Sequence, residues 1–179
     1  MTRYVALLRG INVGGNKKVS MGDLQAMFTL MGSTNVKTLL NSGNVIFDNL
    51  ETNPKVLAGK IEKTFQETFG FESKIILRTL AEIAALIKMD PFRKIHVTPD
   101  HGLYVSFFAD GERDNSLKLP YLSPNKDFHI LQKTDREVLW MIVRSAKTKT
   151  TDAMSFIEKE FSKSLTTRNW NTVKKIATL

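Results

Sequence analysis

The run Tyr4-Val5-Ala6-Leu7-Leu8 is apolar at every position, so a strand built from it has no face to offer to water. Successive side chains of a strand point to opposite faces, and a sheet holding this strand needs cover on both sides. The run predicts a central strand between two layers. It leads into Arg9-Gly10-Ile11-Asn12-Val13-Gly14-Gly15-Asn16-Lys17-Lys18. Glycine and asparagine tolerate positive φ and expose backbone N–H groups, so this stretch has the residues of an anion-binding concavity.

The remainder of the first half fits one supersecondary unit. Ser20-Met21-Gly22-Asp23 is a capping pattern, and Met21, Leu24, Phe28 and Met31 recur at helical spacing until Gly32. Val36 to Leu40 and Val45 to Phe47 flank Asn41-Ser42-Gly43-Asn44, which reads as a hairpin turn. Asn53-Pro54 opens a second helix with Leu57, Ile61 and Phe65 inward and Gly70 at its end. Ser73 to Leu77 is a further strand, so residues 3–78 read β-α-β-β-α-β, the order of a ferredoxin-like unit. Thr79-Leu80-Ala81-Glu82 then caps a helix that Asp90-Pro91 interrupts.

The second half repeats the order. Leu103 to Phe108 is strand-like, a short polar connection through Leu117 admits a helical reading, and Phe128 to Leu131 with Val138 to Val143 form a hairpin about Gln132 to Arg136. A helix from Asp152 carries Met154, Ile157 and Phe161, and Leu165 to Thr167 is extended. The stretch Arg78-Thr79-Leu80-Ala81-Glu82-Ile83 lies over Arg168-Asn169-Trp170-Asn171-Thr172-Val173, with Leu80 on Trp170 and Ile83 on Val173. This order predicts an α+β fold, a ferredoxin-like βαββαβ unit duplicated as two packed halves, residues 1–90 and residues 91–179 with a terminal helix. A single merged α+β domain is the alternative.

Composition excludes several chemistries. The 179 residues include no cysteine, which removes disulfides, thiolate zinc sites and a cysteine nucleophile. No apolar run reaches bilayer-spanning length and no signal-peptide core follows Met1, so no membrane association and a cytoplasmic setting are expected. The net charge of +8 is uneven, with ten Lys/Arg against five Asp/Glu in residues 133–179. That excess fits a solvated basic face, and alternatively a nucleic-acid footprint.

No complete catalytic motif is present. Gly10 and Gly15 have the glycine spacing of a P-loop, but Asn16 stands at the lysine position, and no Gly-x-Gly-x-x-Gly occurs. Ser42 lacks the surroundings of a nucleophile, and His96, His101 and His129 have no metal-ligand spacing, so no metal is assigned. Tyr4 and Phe47 are the candidates for base stacking on a ferredoxin-like sheet, without the glycine-aromatic signature of RNA-binding sheets.

The candidate ligand-binding residues are Arg9, Gly10, Asn12, Gly14, Gly15 and Lys17 in the loop, joined in one polar cleft by Arg168, Asn169 and Asn171. Arginine would hold an anion bidentately and asparagine would orient it, while Trp170 either stacks on a planar group or fills the core. A second reading has Arg168 and Asn169 cap the last helix. The expected activity is binding of a small anionic or nucleotide-like ligand, with or without catalysis. The alternative is a non-catalytic nucleic-acid-binding or protein-interaction module using the basic second half. Neither cofactor nor oligomeric state follows from the residues.

Tyr4 to Gly15, Asn41 to Phe47, Arg78-Thr79, Asp90-Pro91-Phe92 and Thr167 to Val173 together resemble the bacterial domain of unknown function 1697 family, nearly end to end. The resemblance implies an α+β fold of ferredoxin-like character and a cytoplasmic setting. It brings no established activity.

Overall fold

The computed structural model describes residues 1–15, 17–109, 117–144 and 150–179. The chain divides into two compact units, Met1–Ala85 with Lys175–Leu179, and Leu86–Lys174. The first runs β1 (Thr2–Leu8), α1 (Met21–Leu30), β2 (Thr34–Leu39), β3 (Asn44–Asn49), α2 (Pro54–Phe69) and β4 (Ile75–Thr79), followed at once by α3 (Leu80–Met89). Its sheet has the order β2-β3-β1-β4 with every pair antiparallel. The β-α-β-β-α-β order read from the residues is thus present.

Local chemistry fixes the helix ends. The Ser20 hydroxyl accepts from the Asp23 N–H at 3.0 Å, and Asn53 Oδ1 accepts from Lys55 and Val56 with Pro54 in the first turn. Gly70 closes α2 at φ 76°. Thr79 and Glu82 form a reciprocal capping box, Thr79 N–H to Glu82 Oε2 at 2.7 Å and Glu82 N–H to Thr79 Oγ1 at 3.2 Å.

One face of the first sheet, with Tyr4, Ala6, Leu8, Val45, Phe47, Ile75 and Leu77, packs with Leu24, Met27 and Phe28 of α1 and Leu57, Ile61 and Phe65 of α2. Val5, Leu7, Ile46, Ile76 and Arg78 on the opposite face are buried as well. β1 is therefore covered on both sides, as its composition requires. The same packing removes the base-stacking reading, because Tyr4 is 2% exposed and Phe47 not at all, with the Phe28 ring 4.8 Å from Phe47.

The second unit contains β5 (His101–Phe108), β6 (Tyr121–Leu122), β7 (Phe128–Lys133), β8 (Glu137–Val143), α4 (Thr150–Glu160) and β9 (Leu165–Asn169), and α5 (Trp170–Ile176) follows β9 directly. Its sheet order is β6-β7-β8-β5-β9. Without the added edge strand β6, which the sequence reading did not anticipate, this is the order of the first sheet. The expected polar connection before Leu117 falls mostly on residues 110–116, outside the described residues.

The duplication extends to register. Val5 lies between Ile46 and Arg78, and Val105 between Leu139 and Arg168. The bonds Leu8 N–H to Gly43 O (2.8 Å) and Arg9 N–H to Lys74 O (3.0 Å) recur as Phe108 N–H to Arg136 O (2.9 Å) and Ala109 N–H to Ser164 O (2.9 Å). Three neighbouring positions are chemically exchanged. Phe47, Ala6 and Leu77 of the first core correspond to Trp140, Ser106 and Thr167, and Ser106 Oγ accepts from Trp140 Nε1 at 2.9 Å while lying 2.7 Å from Thr167 Oγ1. The larger ring brings an N–H into the second core, and the neighbouring small residue is the acceptor it needs.

Candidate functional site

Antiparallel pairing collects three connections at the end of β1. Leu7 faces Asn44 at the start of β3, and Leu8 faces Ile75 at the start of β4. The loop leaving β1 therefore meets the 40–43 turn and the segment before β4. Arg9 donates its N–H to Lys74 O and accepts at its carbonyl from Ser73 Oγ at 2.9 Å. Ile11 and Val19 are buried, anchoring both ends of the loop, while Val13 between them is exposed.

Asn12 is the latch. At φ 55°, it donates from Nδ2 to Val19 O (3.0 Å) and to Asn41 O (2.9 Å), and its Oδ1 accepts from the Val19 N–H at 2.8 Å. Both side-chain donors thus tie the loop to itself and to the turn. Gly10, Gly14, Gly15 and Lys17 also take positive φ, from 53° to 80°. Gly43 is needed beneath them: a Cβ there would lie 2.7 Å from Ile11 Cδ1 and 2.8 Å from Leu8 Cβ.

This arrangement borders an open cleft of about 600 Å³, lined by Asn12, Gly15, Lys18, Val19, Ser20, Met21 and Asn41. Of the loop residues singled out from the sequence, Asn12 and Gly15 line it. Lys17 Nζ instead lies over the Phe71 ring, 5.6 Å from its centroid, and its neighbour Lys18 supplies the charge on the cleft wall. Arg9 and Gly10 hold the strand exit, and Gly14 forms part of the loop outside that lining. Ser20 and Asn41 carry cap and turn signals, and only the sheet register brings them together.

The candidates from the second unit separate into two roles. Arg168 belongs to β9, which extends two residues beyond the extended piece read from sequence because pairing with β5 continues through Arg168 and Asn169. It is 6% exposed, and Nη1 donates to Thr166 Oγ1 at 2.8 Å and Thr167 O at 2.9 Å. Burial draws its pKa down to about 10. The two Nη1 bonds stay within β9, whereas Asn169 caps α5 by accepting the Asn171 N–H at 2.9 Å.

Asn169 and Asn171 line a second cleft of about 530 Å³ within this unit, together with Asp90, His101, Arg144 and Lys174. Trp170 and Phe92 also line it, packed edge to face at 5.2 Å and both largely buried. Trp170 is thus a core residue that also borders a cleft. Among the described residues, no group of three or more His, Asp or Glu is arranged to hold a metal, and no helix is long and apolar enough to cross a membrane.

Residues 1–135 match the family described as protein of unknown function (DUF1697), and the chain belongs to that family. A similar solved structure is that of the conserved bacterial protein SP0830 from Streptococcus pneumoniae, 22% identical, covering 99% of this chain and 97% of that chain with a TM-score of 0.69. That likeness is one of fold. No curated protein matches the chain.

Proposed function

We propose that the chain binds a small anionic or nucleotide-like ligand, with or without catalysis, in the cleft between the β1–α1 loop and the start of α1. The observation that supports this most directly is the Asn12 latch, which ties the ten-residue, Gly- and Asn-rich connection of the sequence to Val19 and to Asn41 beside a concave surface with Lys18 on its wall. A connection needed only to join strand to helix takes about two to six residues.

The start of α1 adds to the attraction. A helix N-terminus carries roughly half a positive charge and unpaired N–H groups. Ser20 takes the N–H groups of Asp23 and Leu24, while among the described residues those of Met21 and Gly22 have no acceptor. Asp23 in the first turn opposes an anion, but its side of the helix borders a different cleft, with Ala26, Leu30 and Thr68. Lys18, Gly15 and the first N–H groups of α1 would contact the ligand, with Asn12 holding their geometry.

Thermal-shift screening of the chain against nucleotides, phosphorylated metabolites and short nucleic acids tests the reading. A ligand at a hundred times its Kd stabilises the fold by about 2.7 kcal/mol, and Lys18→Ala is expected to abolish most of that gain. Absence of any stabilising small anion, or a gain unchanged in the variant, would overturn the proposal. Nucleic-acid binding that falls steeply with salt and ignores Lys18→Ala would favour the basic second half instead.

A further inference from the structure

We infer that the second unit holds an anion site of its own, built for a small phosphate monoester, in the cleft between the start of β5, the end of β8 and α5. His101, Arg144 and Lys174 converge on this cleft from those three elements, and Asn169 and Asn171 add amides. Among the described residues neither Arg144 nor Lys174 has an acidic partner within ion-pair distance, and Asp90 is the one carboxylate on the lining. Two permanent cations against one carboxylate leave an excess of positive charge in a concave site, which attracts a dianion more strongly than an open surface does.

The imidazole is set as a donor. The Thr98 N–H points to His101 Nδ1 at 3.2 Å, so a neutral ring carries its proton on Nε2, and either protonation state offers N–H to an oxyanion. Arg144 is placed by its own backbone, whose N–H bonds to Asp100 O at 2.7 Å. Guanidinium and ammonium groups together bind phosphate oxygens by paired hydrogen bonds and by point charge. Trp170 and Phe92 are largely buried and packed on each other, which leaves little free ring surface for a stacked base.

The repeat shows that the cluster is not a by-product of the fold. Carrying the shared register past the strand ends sets Met1 against His101, Glu51 against Arg144 and Ala84 against Lys174. The first unit therefore places no basic side chain at any of the three positions, and all three are basic in the second.

The chain's two tryptophans allow a direct test, since Trp170 lines the cleft and Trp140, in β8, has its ring in the core. The two indole N–H resonances are followed by NMR during titration with inorganic phosphate and then glycerol phosphate, with sodium chloride at equal ionic strength as control. The Trp170 resonance is expected to move saturably while Trp140 stays, with at least a tenfold weaker response in Arg144→Ala/Lys174→Ala. Both replaced residues are exposed, and a far-UV spectrum checks that the double variant folds. Lys18→Ala is expected to leave this response unchanged, which separates this site from the loop cleft. No movement of Trp170, movement reproduced by chloride, or an undiminished response in the double variant would overturn the inference.

Discussion

The same end of the repeat is closed in the first unit and open in the second. Where β1 begins and β3 ends, Arg3 Nη1 bonds Asp48 Oδ1 at 3.0 Å, Asn35 Nδ2 bonds Asp48 Oδ2 at 2.7 Å, and Glu51 meets Lys60 at 3.1 Å. The charges there are neutralised in place. Where β5 begins and β8 ends, His101 and Arg144 face a cleft together with Lys174. At the opposite end the difference concerns the loop, because the latched Gly/Asn segment leaves from Arg9 and the corresponding position in the second unit is Ala109. The two units share the sheet order, the register and the hydrogen bonds at the strand exits, and differ at their ends. A rigid scaffold with variable ends is the usual way one fold carries different sites.

The largest effect should come where the comparison is tightest. Phe47→Ala and Trp140→Ala each delete a fully buried ring at the same register position, and each is expected to destabilise its unit by about 3–5 kcal/mol in denaturant unfolding. A near-neutral result for either would break the equivalence of the two cores. Ser106→Ala leaves the Trp140 N–H without its acceptor and should destabilise by about 1–3 kcal/mol. Adding Trp140→Phe to Ser106→Ala should then cost less than the two changes separately, because the orphaned donor is gone. Strict additivity would show that the exchange of Phe47 and Ala6 for Trp140 and Ser106 is not one coupled event.

Gly43→Ala probes the seat of the loop. The left-handed conformation alone sets a penalty of about 1–2 kcal/mol, and displacement of Ile11 adds to it. Ligand affinity in the loop cleft is expected to fall with stability in this variant, whereas Lys18→Ala should lower affinity alone. The smallest effect concerns the closed end. Hydrogen bonding from Asn35, followed by the Arg3 guanidinium, holds the Asp48 carboxyl below its ordinary value of 3.8 against the opposing effect of burial. A carboxylate lowered in the folded state stabilises above its unfolded pKa and loses that contribution as the pH falls through the folded value. Asp48→Asn should therefore flatten the acid limb of the stability curve below about pH 4 by less than about 1 kcal/mol, read from unfolding at several pH values. An unchanged limb would remove Asp48 from the account of that end.

Most of the scaffold was legible because its signals are local. Ser20, Asn53-Pro54, Gly70 and Thr79 with Glu82 mark helix ends through short-range hydrogen bonds that sequence spacing determines, and each acts at the end it marks. The duplication was legible through Arg78 and Arg168, which stand in one register beside Val5 and Val105. Strand β6 was not, since Tyr121-Leu122 is a two-residue edge whose only reason to be extended is its pairing with Ile130 and His129. The sites were half legible. Glycine and asparagine content marked the loop, but which lysine faces the cleft depends on Phe71 drawing Lys17 aside. His101, Arg144 and Lys174 are scattered in sequence, and only the sheet brings them together.

The claim that the β1–α1 loop is a ligand-contacting element is tested most directly by mapping backbone amide shifts when a small anion selected by thermal shift is added to the chain. The account predicts that the amides of Gly15, Lys18, Met21 and Gly22 move together and saturate, and that Lys18→Ala suppresses the movement with the rest of the spectrum preserved. Saturable shifts elsewhere, with these four amides silent, would contradict it.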